Sequence, residues 1–337
     1  MTAANPAPAT PAVPGVRALP EILQGRLSLP AVAAPLFILS GPELVIAQCK
    51  AGVVGSFPAL NARPETELTN WLTRIETELE QAQRDDPQAK IAPHAVNLIC
   101  HPSNERLDHD IGVCVEHRVP IVITSLSAPE RVIPHVHAYG GLVFHDVIST
   151  RHARKAIAAG VDGLILVCAG AGGHAGTLNP FAFVAEVRQF FDGPILLSGA
   201  ITHGRQVLAA RSLGADMAYI GSYFITAQEA NAAPAYQQMV VESSASDIVY
   251  TNLFSGVHAN YLSESIRSAG LDPAALPDGD KSRLKVAEHG TKQVKAWRDV
   301  WSAGHGVGSI VERAPASTLI ERLIEQYRQA ARETAIE

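Results

Sequence analysis

Eight short apolar runs, separated by longer amphipathic stretches, set the architecture open to this chain. They fall at 30–38 (PAVAAPLFI), 53–58 (VVGSFP), 94–100 (HAVNLIC), 120–126 (PIVITSL), 142–147 (LVFHDV), 163–168 (GLILVC), 194–199 (PILLSG) and 217–222 (MAYIGS). Rich in Val, Ile and Leu and apolar on both faces, they read as strands of a parallel sheet covered by helices. Helix-like segments lie between them at 41–51, 64–85, 104–117, 128–139, 150–160, 180–191 and 204–213, with caps expected at Ser40, Ser103, Ser127 and Ser149. Three of these helices close on Gly52, Gly160 and Gly214 and pass at once into a strand. Glycine there supplies the left-handed turn that ends a helix. Eight such units predict an α/β chain folded as a (β/α)8 TIM barrel. An open doubly wound sheet shares the same period and length, because closure is not written in the pattern.

A barrel of this kind takes about 250 residues, and the chain has 337. Residues 1–20, rich in Ala and Pro, read as a flexible tail without the basic start and apolar core of a signal peptide. The barrel is expected over 21–227, followed by a smaller helical insertion over 228–300 that covers the active site. A return segment over 301–337 ends in an amphipathic helix near 316–333 that packs on the barrel. The net charge of −6 gives no basic footprint for nucleic acid, and no apolar run reaches the length of a membrane span. Four cysteines without CxxC or zinc spacing point to reduced, mostly buried thiols in a cytoplasmic protein.

The most informative stretch is Gly160 to Gly176, GVDGLILVCAGAGGHAG. An apolar strand delivers a loop of Gly and Ala ending in a single imidazole, His174, where barrels present their chemistry. Gly170, Gly172, Gly173 and Gly176 remove side chains where a flat ligand could approach the backbone. The seventh strand ends in Ser198-Gly199-Ala200 and the eighth in Gly221-Ser222, each running towards a helix. That pair of small-residue loops is the recurring phosphate site of the barrel. No dinucleotide fingerprint and no GxxxxGK[ST] occurs.

The first strand delivers Ala34-Pro35-Leu36, an apolar ledge for a flat ring. Asn97 is an amide in an apolar run, serving either a ring's carbonyl and N–H or a neighbouring strand. His145-Asp146 reads as a general acid pair or as a salt-linked structural histidine. His101, His109, His135 and His137 have no partner set for zinc, so no metal is expected.

Together with GPILLSGAITHGRQVLAARSLGADMAYIGSYFI and VWSAGHGVGSI (300–310), the Gly160–Gly176 stretch resembles the nitronate monooxygenase family, formerly 2-nitropropane dioxygenases. GHAG, SGAI and the IGS ending of the eighth strand carry the resemblance, which runs over roughly residues 25–310. It implies an FMN-dependent TIM barrel that oxidises alkyl nitronates with O₂ to a carbonyl compound and nitrite. His174 then matches the active-site histidine, the base when a neutral nitroalkane is used. Ser198, Gly199, Ala200, Gly221 and Ser222 match the FMN phosphate loops. Ala34, Pro35 and Leu36 lie beneath the flavin, Asn97 at its ring, and Gly172 and Gly173 beside it. The expected partners are a small nitronate or nitroalkane and O₂, with a homodimer as the candidate assembly.

The chain departs from that pattern twice. Asp146 stands where better-studied members carry a lysine, and Ala-Ala-Pro-Leu replaces the Gln-Gly-Gly of some relatives. Two other readings share the same loops. One is an NAD(P)H-dependent FMN reductase of quinones or enoyl thioesters, and the other a flavin-binding protein with little catalysis.

Overall fold

The structure, a computed structural model, describes residues 18–279 and 297–334. The tail expected over 1–20 falls almost entirely outside the described residues, as does the end of the 228–300 segment from residue 280 to 296.

All eight expected strands form. They are β1 (Ala31–Ala33), β2 (Gly55–Pro58), β3 (His94–Ile99), β4 (Ile121–Ser125), β5 (Leu142–Val147), β6 (Gly163–Val167), β8 (Ile195–Ser198) and β9 (Met217–Ile220). β7 is the two-residue piece Gly173–His174. The eight pair in parallel in the order β1-β9-β8-β6-β5-β4-β3-β2. A parallel bridge between Val32 and Val54, with Ala33 N–H donating to Val54 O at 2.8 Å, joins the two ends. The sheet is therefore a closed barrel.

Alternation along the strands makes two cores. Val32, Val54, Ala95, Ile121, Ile123, Phe144, Ile165, Leu196 and Met217 fill the barrel interior. Their neighbours face outward to the helices α1 (Pro42–Lys50), α2 (Glu67–Asp85), α3 (Leu107–Glu116), α4 (Ile133–His137), α5 (Thr150–Ala159), α6 (Pro180–Val187) and α7 (Gly204–Ser212). Gly52, Gly160 and Gly214 adopt φ of 81°, 96° and 107°, the left-handed closures read from the sequence.

Of the expected caps, only Ser149 serves, accepting from His152 N–H. Ser40 instead accepts from Leu36 N–H at 3.0 Å and pins the turn that follows β1. That turn ends β1 at Ala33, well short of residue 38. The helix expected over 128–139 shortens to Ile133–His137, because Pro134 can enter only its first turn.

The segment expected to be a helical insertion is mixed instead. It holds α8 (Pro234–Glu242) and α9 (Ser263–Ser268), but also the antiparallel strands β10 (Ile248–Thr251) and β11 (Ala259–Leu262). Their β-branched and aromatic residues suit a pleated surface better than a helix.

The last helix, α10 (Ala316–Glu333), buries Leu319, Ile320 and Leu323 and packs on α7. The approach is close at Gly204, where a Cβ would lie 2.2 Å from Leu323 O and 2.3 Å from Tyr327 N. Backbone cannot yield cheaply there, so Gly204→Ala should cost about 1–3 kcal/mol of overpacking. Chemical denaturation would read it as a lower midpoint, and an unchanged midpoint would mean that α10 slides freely on α7.

Candidate functional site

The C-terminal ends of the barrel strands open into one cleft of about 1550 Å³ among the described residues. Every residue expected at the site lines it: Ala34, Pro35, Leu36, Asn97, Gly172, Gly173, His174, Ser198, Gly199, Ala200, Gly221 and Ser222. Leu253, Phe254, Ser255 and Val257 of the 228–279 segment, together with Trp297, supply further wall.

The loops after β8 and β9 present bare backbone. The N–H groups of Gly199, Ala200, Gly221 and Ser222 make no hydrogen bond among the described residues. Gly199 has φ 132° and Ala200 φ 55°, so the chain turns sharply between β8 and α7. Unpaired amides at successive strand ends make a concavity for an anion, without a lysine or arginine. Ser222 is only half available as a side chain, because its Oγ accepts from Gly304 N–H at 2.8 Å.

The loop carrying His174 is held from three directions. Gly173 and His174 pair antiparallel with Asn260 and Ala259. Gly173 N–H donates to Ser302 Oγ at 2.7 Å, and Asn260 Nδ2 donates to Ala171 O at 2.6 Å. His305 N–H donates to Gly170 O at 2.9 Å. A Cβ on Gly172 would stand 2.9 Å from both Gly304 N and Ser222 Oγ, so only glycine lets the loop lie against the 302–306 turn.

The His174 ring meets Trp297 edge to face, with centroids 5.0 Å apart, and its Nε2 lies 3.1 Å from Ser255 Oγ. Burial pushes its pKa down to about 4, so the imidazole is neutral near pH 7.

Asn97 is buried, and its amide nitrogen is already engaged. Nδ2 donates to Ile123 O at 3.1 Å and to Ser125 Oγ at 2.8 Å. The neighbouring-strand reading therefore holds for the NH₂. Its Oδ1, with no hydrogen bond among the described residues, is left for a donor in the cleft.

His145 and Asp146 do not act as a pair, because adjacent strand residues face opposite sides. His145 turns to Thr124, its Nδ1 2.8 Å from Thr124 Oγ1, and burial pushes its pKa down to about 4. Asp146 points inward, where Oδ2 accepts from Ser125 Oγ at 2.6 Å and Oδ1 is buried without a partner. The Tyr219 hydroxyl is a second buried, unpartnered group, and the charge of Asp146 adds to the burial that raises its pKa.

Burial pushes Asp146 from 3.8 up to about 7, with the Ser125 hydrogen bond opposing. Between those values the native chain holds a proton that the unfolded chain has lost, so stability falls as pH rises from 3.8 to about 7. Asp146→Asn removes that loss. Calorimetry across this window should show the variant gaining on the parent as pH rises, and a constant difference would mean a carboxylate ionised throughout.

Residues the sequence reading passed over are Ser125, Tyr219, Ser255, Trp297, Ser302 and Gly304. Gly304 and Ser302 lie within the VWSAGHGVGSI stretch, which hinted at them, but nothing local marks Ser255 or Trp297.

The nitronate monooxygenase family model matches residues 26–326. This chain belongs to the nitronate monooxygenase family. It is an oxidoreductase. A nitronate monooxygenase of Paraburkholderia phytofirmans is 25% identical over 372 residues, covering 94% of this chain and 98% of that protein. A protein of Mycobacterium tuberculosis named as a monooxygenase is 31% identical over 170 residues, half of this chain and 44% of that protein. Among solved structures, the nitroalkane oxidase of Streptomyces ansochromogenes superposes with a TM-score of 0.75 at 22% identity, over 93% of this chain and all of that one. At that identity the likeness speaks for the barrel alone. The barrel read from the eight strand units is the one observed. Among the described residues no helix is long and apolar enough to cross a membrane, and all four cysteines are buried and unpaired.

Proposed function

We propose that this chain oxidises small alkyl nitronates with O₂, to a carbonyl compound and nitrite, using FMN held in the cleft. One observation carries the reading. Unpaired amides at the ends of β8 and β9 and a neutral imidazole on the β6 loop face the same space. The residues fit the cofactor. Gly199, Ala200, Gly221 and Ser222 would hold its phosphate, Ala34, Pro35 and Leu36 would support the ring, and Asn97 Oδ1 would accept from a ring N–H. Gly172 and Gly173 keep the facing wall free of side chains. At about 1550 Å³ the cleft exceeds the ~300–1,000 Å³ usual for one ligand, leaving room for a small substrate as well. When bound, FMN supplies the electron-accepting chemistry that no side chain here can.

The chain's own share is position and a proton. A nitronate already carries the electrons to be removed, so it needs only to be held. A neutral nitroalkane must first lose its α-proton to His174, the bond electrons remaining as the C=N of the nitronate. Burial keeps His174 unprotonated, so the ring is free to accept that proton. It is charged only below about 4, so kcat/KM for a nitroalkane should stay flat down to that region. A descending limb near 6.5 would mean a solvated imidazole.

The deciding experiment is an anaerobic titration of the yellow protein with propionate 3-nitronate and, separately, with NADH. Bleaching of the flavin absorption by the nitronate alone supports this reading. Bleaching by NADH alone would move the protein to the reductases.

A further inference from the structure

We infer that Ser255, from the segment between β10 and β11, is a positioning residue that fixes His174 as its Nε2–H tautomer and leaves Nδ1 as the basic nitrogen. The inference rests on the acid–base role given to His174 above for its catalytic meaning, but not for its geometry.

A serine hydroxyl has one proton to give and two lone pairs to receive. Ser255 Oγ donates that proton to Val257 O at 2.9 Å. No other donor reaches Val257 O among the described residues. Turning the hydroxyl towards the imidazole would leave one hydrogen bond where the other arrangement makes two, and a carbonyl without its donor. Ser255 Oγ consequently faces His174 Nε2, 3.1 Å away, with a lone pair, and Nε2 must be the donor.

A neutral imidazole carries one N–H. With His174 kept neutral by burial, the proton on Nε2 leaves Nδ1 unprotonated. Nδ1 makes no hydrogen bond among the described residues, and His174 lines the cleft. The ring cannot easily turn over to exchange its nitrogens. Trp297 stands edge to face against it, with ring centroids 5.0 Å apart. In the proton abstraction the α C–H bond breaks, the proton moves to Nδ1, and the electron pair stays on the substrate as C=N. The imidazolium so formed keeps its Nε2–H on Ser255 Oγ, so the serine need not reorient during the step.

Nitrogen NMR of protein labelled at histidine, taken both without and with FMN, reads the tautomer directly. The expected result is a non-protonated Nδ1 and a protonated Nε2 at His174. Ser255→Ala should give a mixture of tautomers and a lower kcat/KM for a nitroalkane, with KM little changed, and Ser255→Thr should restore both. An Nδ1–H tautomer in the parent protein overturns the inference, as does an unchanged spectrum in Ser255→Ala. If the tautomer shifts in Ser255→Ala while kcat/KM stays constant, the serine's hold on the ring is supported. That result overturns instead the acid–base role of His174. Because the spectrum of the FMN-free protein does not depend on the flavin reading, the two failures are told apart.

Discussion

Replacing His174 by alanine should leave FMN bound and lower kcat for a neutral nitroalkane by roughly 10²–10⁴-fold, the usual worth of a positioned base. The effect should depend on the substrate. A preformed nitronate has already lost its α-proton, so its turnover should fall much less. FMN should stay because the amides that would hold its phosphate belong to the loops after β8 and β9, whereas His174 hangs on the separate loop after β6. The variant should also fold, since the loop is fixed mainly by backbone contacts. Steady-state assays on the matched pair of nitroalkane and nitronate, with the flavin spectrum recorded for each preparation, would test it. Equal losses on both substrates would sink the base role and leave a binding role. Unchanged turnover on both would remove His174 from the chemistry.

Gly199→Val should release the cofactor while leaving the barrel folded. At φ 132° the position suits glycine, and a Cβ there would stand 2.9 Å from Ala169 O. Backbone forced out of its allowed region costs of order 1–3 kcal/mol, which corresponds to a roughly 5- to 150-fold weaker anion site if the loop yields instead of the sheet. The strain falls after the last residue of β8, so the hydrogen-bonded ladder that closes the barrel is not touched. A yellow protein with unaltered FMN affinity, measured by fluorescence titration, would show that the phosphate sits elsewhere. The neighbouring position gives a control. At Gly221 a Cβ meets only Ala34 Cβ and Leu36 Cδ2 at 3.6 Å, so Gly221→Ala should be milder.

The sequence by itself determined the barrel's parts and much of its mouth. Eight Val-, Ile- and Leu-rich runs became eight parallel strands because a strand covered on both faces must be apolar throughout, a local property. The three glycine closures were equally legible, since a left-handed turn is a demand on one residue. Ser198-Gly199-Ala200 and Gly221-Ser222 followed from their place at strand ends.

Tertiary structure alone decided the rest. Closure required Val32 to meet Val54, a question of curvature that no period encodes. The fate of His145-Asp146 turned on which face each presented, and both halves of the expected pair found other partners on β4. The β-structure within 228–279 is a local pairing of β10 with β11 that the polar sequence around it did not mark, and only its docking on Gly173 and His174 comes from far away in the chain. Ser255 touches His174 across 81 residues, and Ser302 reaches Gly173 across 129. Contacts so distant leave no local pattern. They exist only once the folded barrel has fixed where each loop stands, and it is those contacts that set the imidazole's surroundings, its burial and its basic nitrogen.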